Sequence, residues 1–194
     1  MRRLFLYSIL FLACCISGSP LHADLVFNVT EANGGGATFL GSGSGAVDRS
    51  RSNSRWDLND FNTSFLESSV GNSEISFSAT GTLTNSSSGQ NVGIIGFGVD
   101  RDGNGGDDIF FQTDSGLSFT QGDDFVFSIV ATSDVGTLPF SSLILGTHIE
   151  PGGAPDEIFG VTTMVISSIP EPTAFAMFSV ALVALSSRRR FPHG

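Results

Sequence analysis

The feature that most restricts the fold is an alternation of apolar and polar residues at period two, interrupted roughly every ten residues by clusters of Gly, Asn, Ser and Asp. Ile75, Phe77 and Ala79 are separated by Ser76 and Ser78, and the rhythm recurs in Phe125, Phe127, Ile129 and in Val161, Thr163, Val165. Successive side chains of a strand point to opposite faces, so such a segment packs one face and wets the other. No stretch of the middle keeps apolar residues at helical spacing for three turns, which argues against a helical array. The expectation is an all-β fold, a single antiparallel β-sandwich of jelly-roll or Ig-like type. Its strands are expected at 25–30, 37–40, 54–58, 74–83, 92–99, 108–113, 125–131, 138–147 and 158–166.

The 18 Phe, with Ile, Val and Leu, supply enough apolar area for one core, so wholesale disorder is not expected despite the 24 Gly. Residues 24–166 have the size of one domain. Gly34–Gly36 and the run Gly41-Ser42-Gly43-Ser44-Gly45 punctuate its start. The second run is expected to be a loop between strands of one sandwich, because the few residues before it cannot bury a core alone.

Between Asp24 and Ile169, eighteen Asp and Glu face four Arg (49, 51, 55 and 101) and no Lys, a formal charge of −14. This surface repels phosphate backbones and excludes nucleic acid as a natural partner, while divalent cations remain open. Cys14 and Cys15 both lie in the N-terminal apolar run, so the domain has no disulfide and no thiolate ligand.

The richest polar cluster is Asp100-Arg101-Asp102-Gly103-Asn104-Gly105-Gly106-Asp107-Asp108. Its start fits Asp-x-Asp-x-Asn-Gly, the front half of a calcium loop in which alternate oxygen-bearing side chains face one hard cation. Asp100, Asp102 and Asn104 are candidate ligands, and Asp107 or Asp108 would close the shell. The twelfth position is Phe111 rather than Glu and both flanks read as strands, so the loop is either a β-turn calcium site or a hairpin loop using Asp, Asn and Gly for its turns. Asp123-Asp124 and Asp156-Glu157 read as solvated turn residues.

For catalysis the domain offers one histidine, His148, read as a surface or hydrogen-bonded residue. Gly-x-Ser-x-Gly and His-Glu-x-x-His are both absent, and the expectation is a non-enzymatic protein. A pair of distant carboxylates acting on a polysaccharide stays open. Trp56 is the one aromatic residue of the domain with a polar handle, either a core residue or a sugar platform.

The termini carry addresses. Met1-Arg2-Arg3, the apolar run Leu4 to Ile16 and the exit Gly18-Ser19-Pro20-Leu21-His22-Ala23 have the layout of a secretory signal peptide over 1–23, cleaved after Ala23 by signal peptidase. Phe11-Leu12-Ala13-Cys14 also loosely resembles a lipoprotein signal. At the other end, Pro170-Glu171-Pro172 precedes an uncharged apolar segment and then Arg188-Arg189-Arg190. The prolines break regular structure and the arginines hold the segment's end on the cytoplasmic side.

Residues 167–194 thereby resemble the PEP-CTERM sorting signal of exported bacterial proteins: the Pro-Glu-Pro tripeptide, a transmembrane helix and a basic stop, in that order. The resemblance is confined to this tail. It implies recognition by an exosortase-type membrane protease, a precursor anchored in the inner membrane, and delivery to the cell surface or extracellular matrix. Pro170, Glu171 and Pro172 would be the recognition motif, and Arg188, Arg189 and Arg190 the stop. About fifteen uncharged residues fall short of the ~20 that span hydrocarbon, which suits temporary retention. Phe191-Pro-His-Gly194 extends beyond the usual ending. The functional expectation is an exported matrix or surface protein, with calcium as candidate cofactor; the alternatives are a module binding extracellular polysaccharide and a polysaccharide hydrolase.

Overall fold

The computed structural model describes residues 24–58, 61–101, 106–152 and 157–168. The expected signal peptide with Ala23, the sorting motif, the transmembrane segment and the arginine stop lie outside the described residues, as do Asp102 and Asn104.

The described chain is mostly β: β1 (Asp24–Glu31), β2 (Ala37–Ala46), β3 (Arg51–Leu58), β4 (Ile75–Asn85), β5 (Gln90–Arg101), β6 (Asp107–Phe119), β7 (Asp124–Thr132), β8 (Gly146–Glu150) and β9 (Thr162–Ile166), with a 3-10 turn at Phe140–Ser142. They form one nine-stranded sheet in the order β3-β6-β5-β4-β7-β2-β1-β9-β8. Every neighbouring pair is antiparallel except β1 and β9, which run parallel, so the sheet is mixed.

The sheet curls onto its own apolar face. β1 and β5 stand four positions apart, ~19 Å in a flat sheet, yet the rings of Phe27 and Phe97 lie 5.8 Å apart. Phe111 of β6 and Phe127 of β7, three positions apart, approach to 4.9 Å. Register shifts at Asn53/Arg55, Ser78/Gly81 and Ile94/Gly96 bend the strands where the curl is needed.

Glycines permit the tight part of the curl, and here the structure departs from the expected loop at 41–45: Gly41 to Gly45 belong to β2. Gly41 sits between Phe27 of β1 and Ile129 of β7, and an added Cβ would meet their side chains at 2.5 and 2.6 Å. Large neighbours on both flanks fill the space a side chain would take, so the run is strand despite its loop-like composition.

Two expected strands are also shorter. Residues 138–147 are mostly the 3-10 turn and a connection, because Pro139 has no N–H for a ladder and Ser133 Oγ donates to the Leu138 carbonyl at 2.7 Å. In 158–166 the ladder begins only at Thr162, while Ile158 and Phe159 enter the core, Phe159 packing edge-to-face with Phe125 at 4.8 Å.

The two sheet edges, β3 and β8, are joined through the segment after β3. Asn62 N–H donates to Ile149 O (3.0 Å), Ile144 N–H to Phe65 O (2.8 Å) and Glu67 N–H to Ser142 O (2.8 Å). Backbone groups of the seam that would otherwise be open to another chain are thus paired within the molecule.

Candidate functional site

The acidic loop between β5 and β6 is anchored by its flanks. Asp100 pairs with Asp108 and Arg101 with Asp107 in the antiparallel register. Alternation along β6 puts Asp107 on the inner face and Asp108 on the other, the face of Asp100. Of these two, Asp108 shares a face with Asp100 and Asp107 does not.

Asp107 is buried and occupied: its Oδ2 accepts the N–H groups of both Phe65 and Leu66 at 2.6 Å, and its carbonyl accepts Phe61 N–H. Burial raises its pKa, opposed by the two amides and by Arg101 and His148. Arg101 reaches the same segment, donating from Nη1 to Val70 O at 3.0 Å. These side chains hold the 61–70 segment across the seam.

His148 is buried at that seam. Its Nε2 donates to Ile144 O at 2.9 Å, and its Nδ1 shares a hydrogen bond with the Thr63 hydroxyl, also at 2.9 Å. Both nitrogens are committed to structure. Trp56 is a core residue, packed edge-on against Phe119 and Phe159, and so no sugar platform. Its Nε1 has no hydrogen-bond partner among the described residues.

The residues that sequence reasoning missed lie at the junction of β8 and β9. In Thr147-His148-Ile149-Glu150 the usual alternation is inverted: Ile149 is 39% exposed, while His148 and Glu150 are buried. Glu150, the last residue of β8, stands directly opposite Thr162, the first of β9. Glu157, expected to be a solvated turn residue, is 2% exposed. Gly152, at φ +73°, lies close against the Gly160 backbone. Asp156 lies outside the described residues.

Glu150 Oε1 accepts the Gly152 N–H. Its Oε2 and the Thr162 hydroxyl are buried without a partner at normal hydrogen-bond geometry among the described residues. Burial, and then the Glu157 carboxylate, push the Glu150 carboxyl up to about 8. The signal that could have exposed this site is the glutamate at an inward position of a strand whose isoleucine points out.

The outer face is divided. On β3 and β6, Arg55 bridges Asp57 (2.8 Å) and Glu74 (2.9 Å) and lies 3.8 Å over the Phe110 ring. On β4, β7, β2 and β1, register aligns Thr80, Val130, Leu40 and Asn28 in one row and Thr82, Ser128, Ser42 and Val26 in the next. An open groove of about 470 Å³ runs over these rows, and its lining has no titratable side chain.

Compared with known protein families and with curated proteins, the chain matches none. Among the described residues no three His, Cys, Asp or Glu side chains form a cluster able to hold a metal, and no helix is long and apolar enough to cross a membrane.

Proposed function

We propose that the chain is an exported, non-enzymatic protein of the cell surface or extracellular matrix. Its 24–166 domain, a jelly-roll- or Ig-like sandwich in its finer architecture, is the passenger of an exosortase-type sorting tail. The observation that carries this reading is the pair of sequence addresses flanking the β domain: the charged and apolar run ending at Ala23, and the tail of Pro170-Glu171-Pro172, apolar segment and Arg188–Arg190. The described β domain lies between them, with β1 at Asp24–Glu31 and β9 at Thr162–Ile166.

The test is the intact mass of protein recovered from the medium or cell surface, which reads both cleavages at once. Loss of 1–23 and of the segment after Pro170-Glu171-Pro172 is expected. Replacing Glu171 or deleting Arg188–Arg190 should leave an inner-membrane precursor, and unchanged processing would remove the sorting reading. Within this reading, calcium would take Asp100, Asp102 and Asn104 as ligands, with Asp108 closing the shell.

The uncharged groove favours a second reading, a module for neutral extracellular polysaccharide. Asn28, Ser42, Thr80 and Ser128 offer hydroxyl and amide groups beside Leu40 and Val130 on an otherwise acidic surface. A glycan array separates the two readings, and a turnover assay on any glycan retained separates binder from hydrolase.

A further inference from the structure

We infer that Glu150, Glu157 and Thr162 form a buried binding site for a single calcium ion at the β8–β9 junction, separate from the acidic loop between β5 and β6. All three side chains are at least nine-tenths buried, and Thr162 is 0% exposed. The Glu157 carboxyl and the Thr162 hydroxyl both act on the Glu150 carboxyl. Two of the oxygens brought together there, Glu150 Oε2 and Thr162 Oγ1, have no partner at normal hydrogen-bond distance and angle among the described residues.

Buried polar atoms are almost always paired, and a cluster of them without partners points to an ion or ordered water. Two carboxylates and a hydroxyl are hard oxygen donors, which select calcium or magnesium over softer metals. Calcium is favoured because it accepts irregular shells completed by carbonyl and water oxygens, whereas magnesium demands near-ideal octahedral geometry. Two carboxylates suffice for such a shell.

The fold also fixes the donors. Glu150 and Thr162 face each other in the ladder, and the Gly152 N–H bond orients the Glu150 carboxylate by holding its other oxygen. The tight approach of Gly152 to Gly160 holds the connection that bears Glu157. An ion here would join β8, β9 and their connection, and so fasten one edge of the sheet.

The experiment is thermal unfolding of the full-length protein at pH 7.5, in EDTA and in 5 mM calcium chloride, for the wild type and three variants. Calcium should raise the wild-type Tm by about 5 °C. The rise should vanish in Glu150→Gln and persist in Asp108→Asn, which separates this site from the loop. Thr162→Val, which keeps the packing and removes only the hydroxyl, should shift the calcium titration midpoint about tenfold upward and serves as the readout if Glu150→Gln fails to fold. A wild-type Tm indifferent to calcium would overturn the inference. So would a calcium response that survives Glu150→Gln, or an unchanged midpoint in Thr162→Val.

Discussion

Asp107 and Glu150 are both acids buried beneath the sheet, and both hold their protons above the ordinary carboxylate range because burial disfavours charge. Their partners differ. Asp107 gives one oxygen to two backbone amides and so repays its burial by holding the 61–66 segment against β6. Glu150 meets another acid and a hydroxyl, and one of its oxygens is left over. A buried carboxylate held by two amides is a structural fastener, while one with a single amide and an acidic neighbour keeps an oxygen that favours a proton or a cation.

The sharpest way to break this comparison is Asp107→Ala. It strands two buried amides and should cost on the order of 3 kcal/mol in urea unfolding. Hydrogen exchange at Phe65 and Leu66 should accelerate; unchanged protection there would mean that the carboxylate holds nothing.

Next in size is the pH response in EDTA. The folded Glu150 carboxyl binds its proton more tightly than the unfolded one, so its contribution is complete below pH 4.5 and lost as pH rises through about 8. Tm should decline across that window, and a Tm constant from 4.5 to 8 would contradict the assigned burial. Glu150→Gln, a smaller change, should flatten this decline and leave the EDTA Tm at pH 8 equal to or above the wild type, opposite in sign to Asp107→Ala. The smallest effect is Thr162→Val in EDTA, within about 1 kcal/mol of wild type, because the hydroxyl it removes makes no hydrogen bond of normal geometry among the described residues. A larger loss would reveal a hydrogen bond that Thr162 makes only in solution.

Much of the fold was legible in the chain. The alternation around Phe77 and Phe127 marked β4 and β7 because each strand packs one face and wets the other. It failed at Gly41–Gly45, where strand identity rests on Phe27 and Ile129 closing over a position that carries no side chain. It failed again at Ile149, whose apolar side chain faces out because its neighbours His148 and Glu150 are drawn to Thr63 and Gly152. The acidic loop was visible as a motif, but the division of labour between Asp107 and Asp108 was not, since it depends on which face of β6 is covered.

The chain alone determined an all-β domain of strong negative charge without usable thiols, because side-chain period, formal charge and cysteine position are local properties that need no partner. Tertiary structure decided that one sheet curls until Phe27 touches Phe97, that the 61–70 segment joins its two edges, and that Glu150, Glu157 and Thr162 meet. Those outcomes depend on contacts between residues distant along the sheet or the chain, whose geometry and desolvation arise only when the strands are assembled.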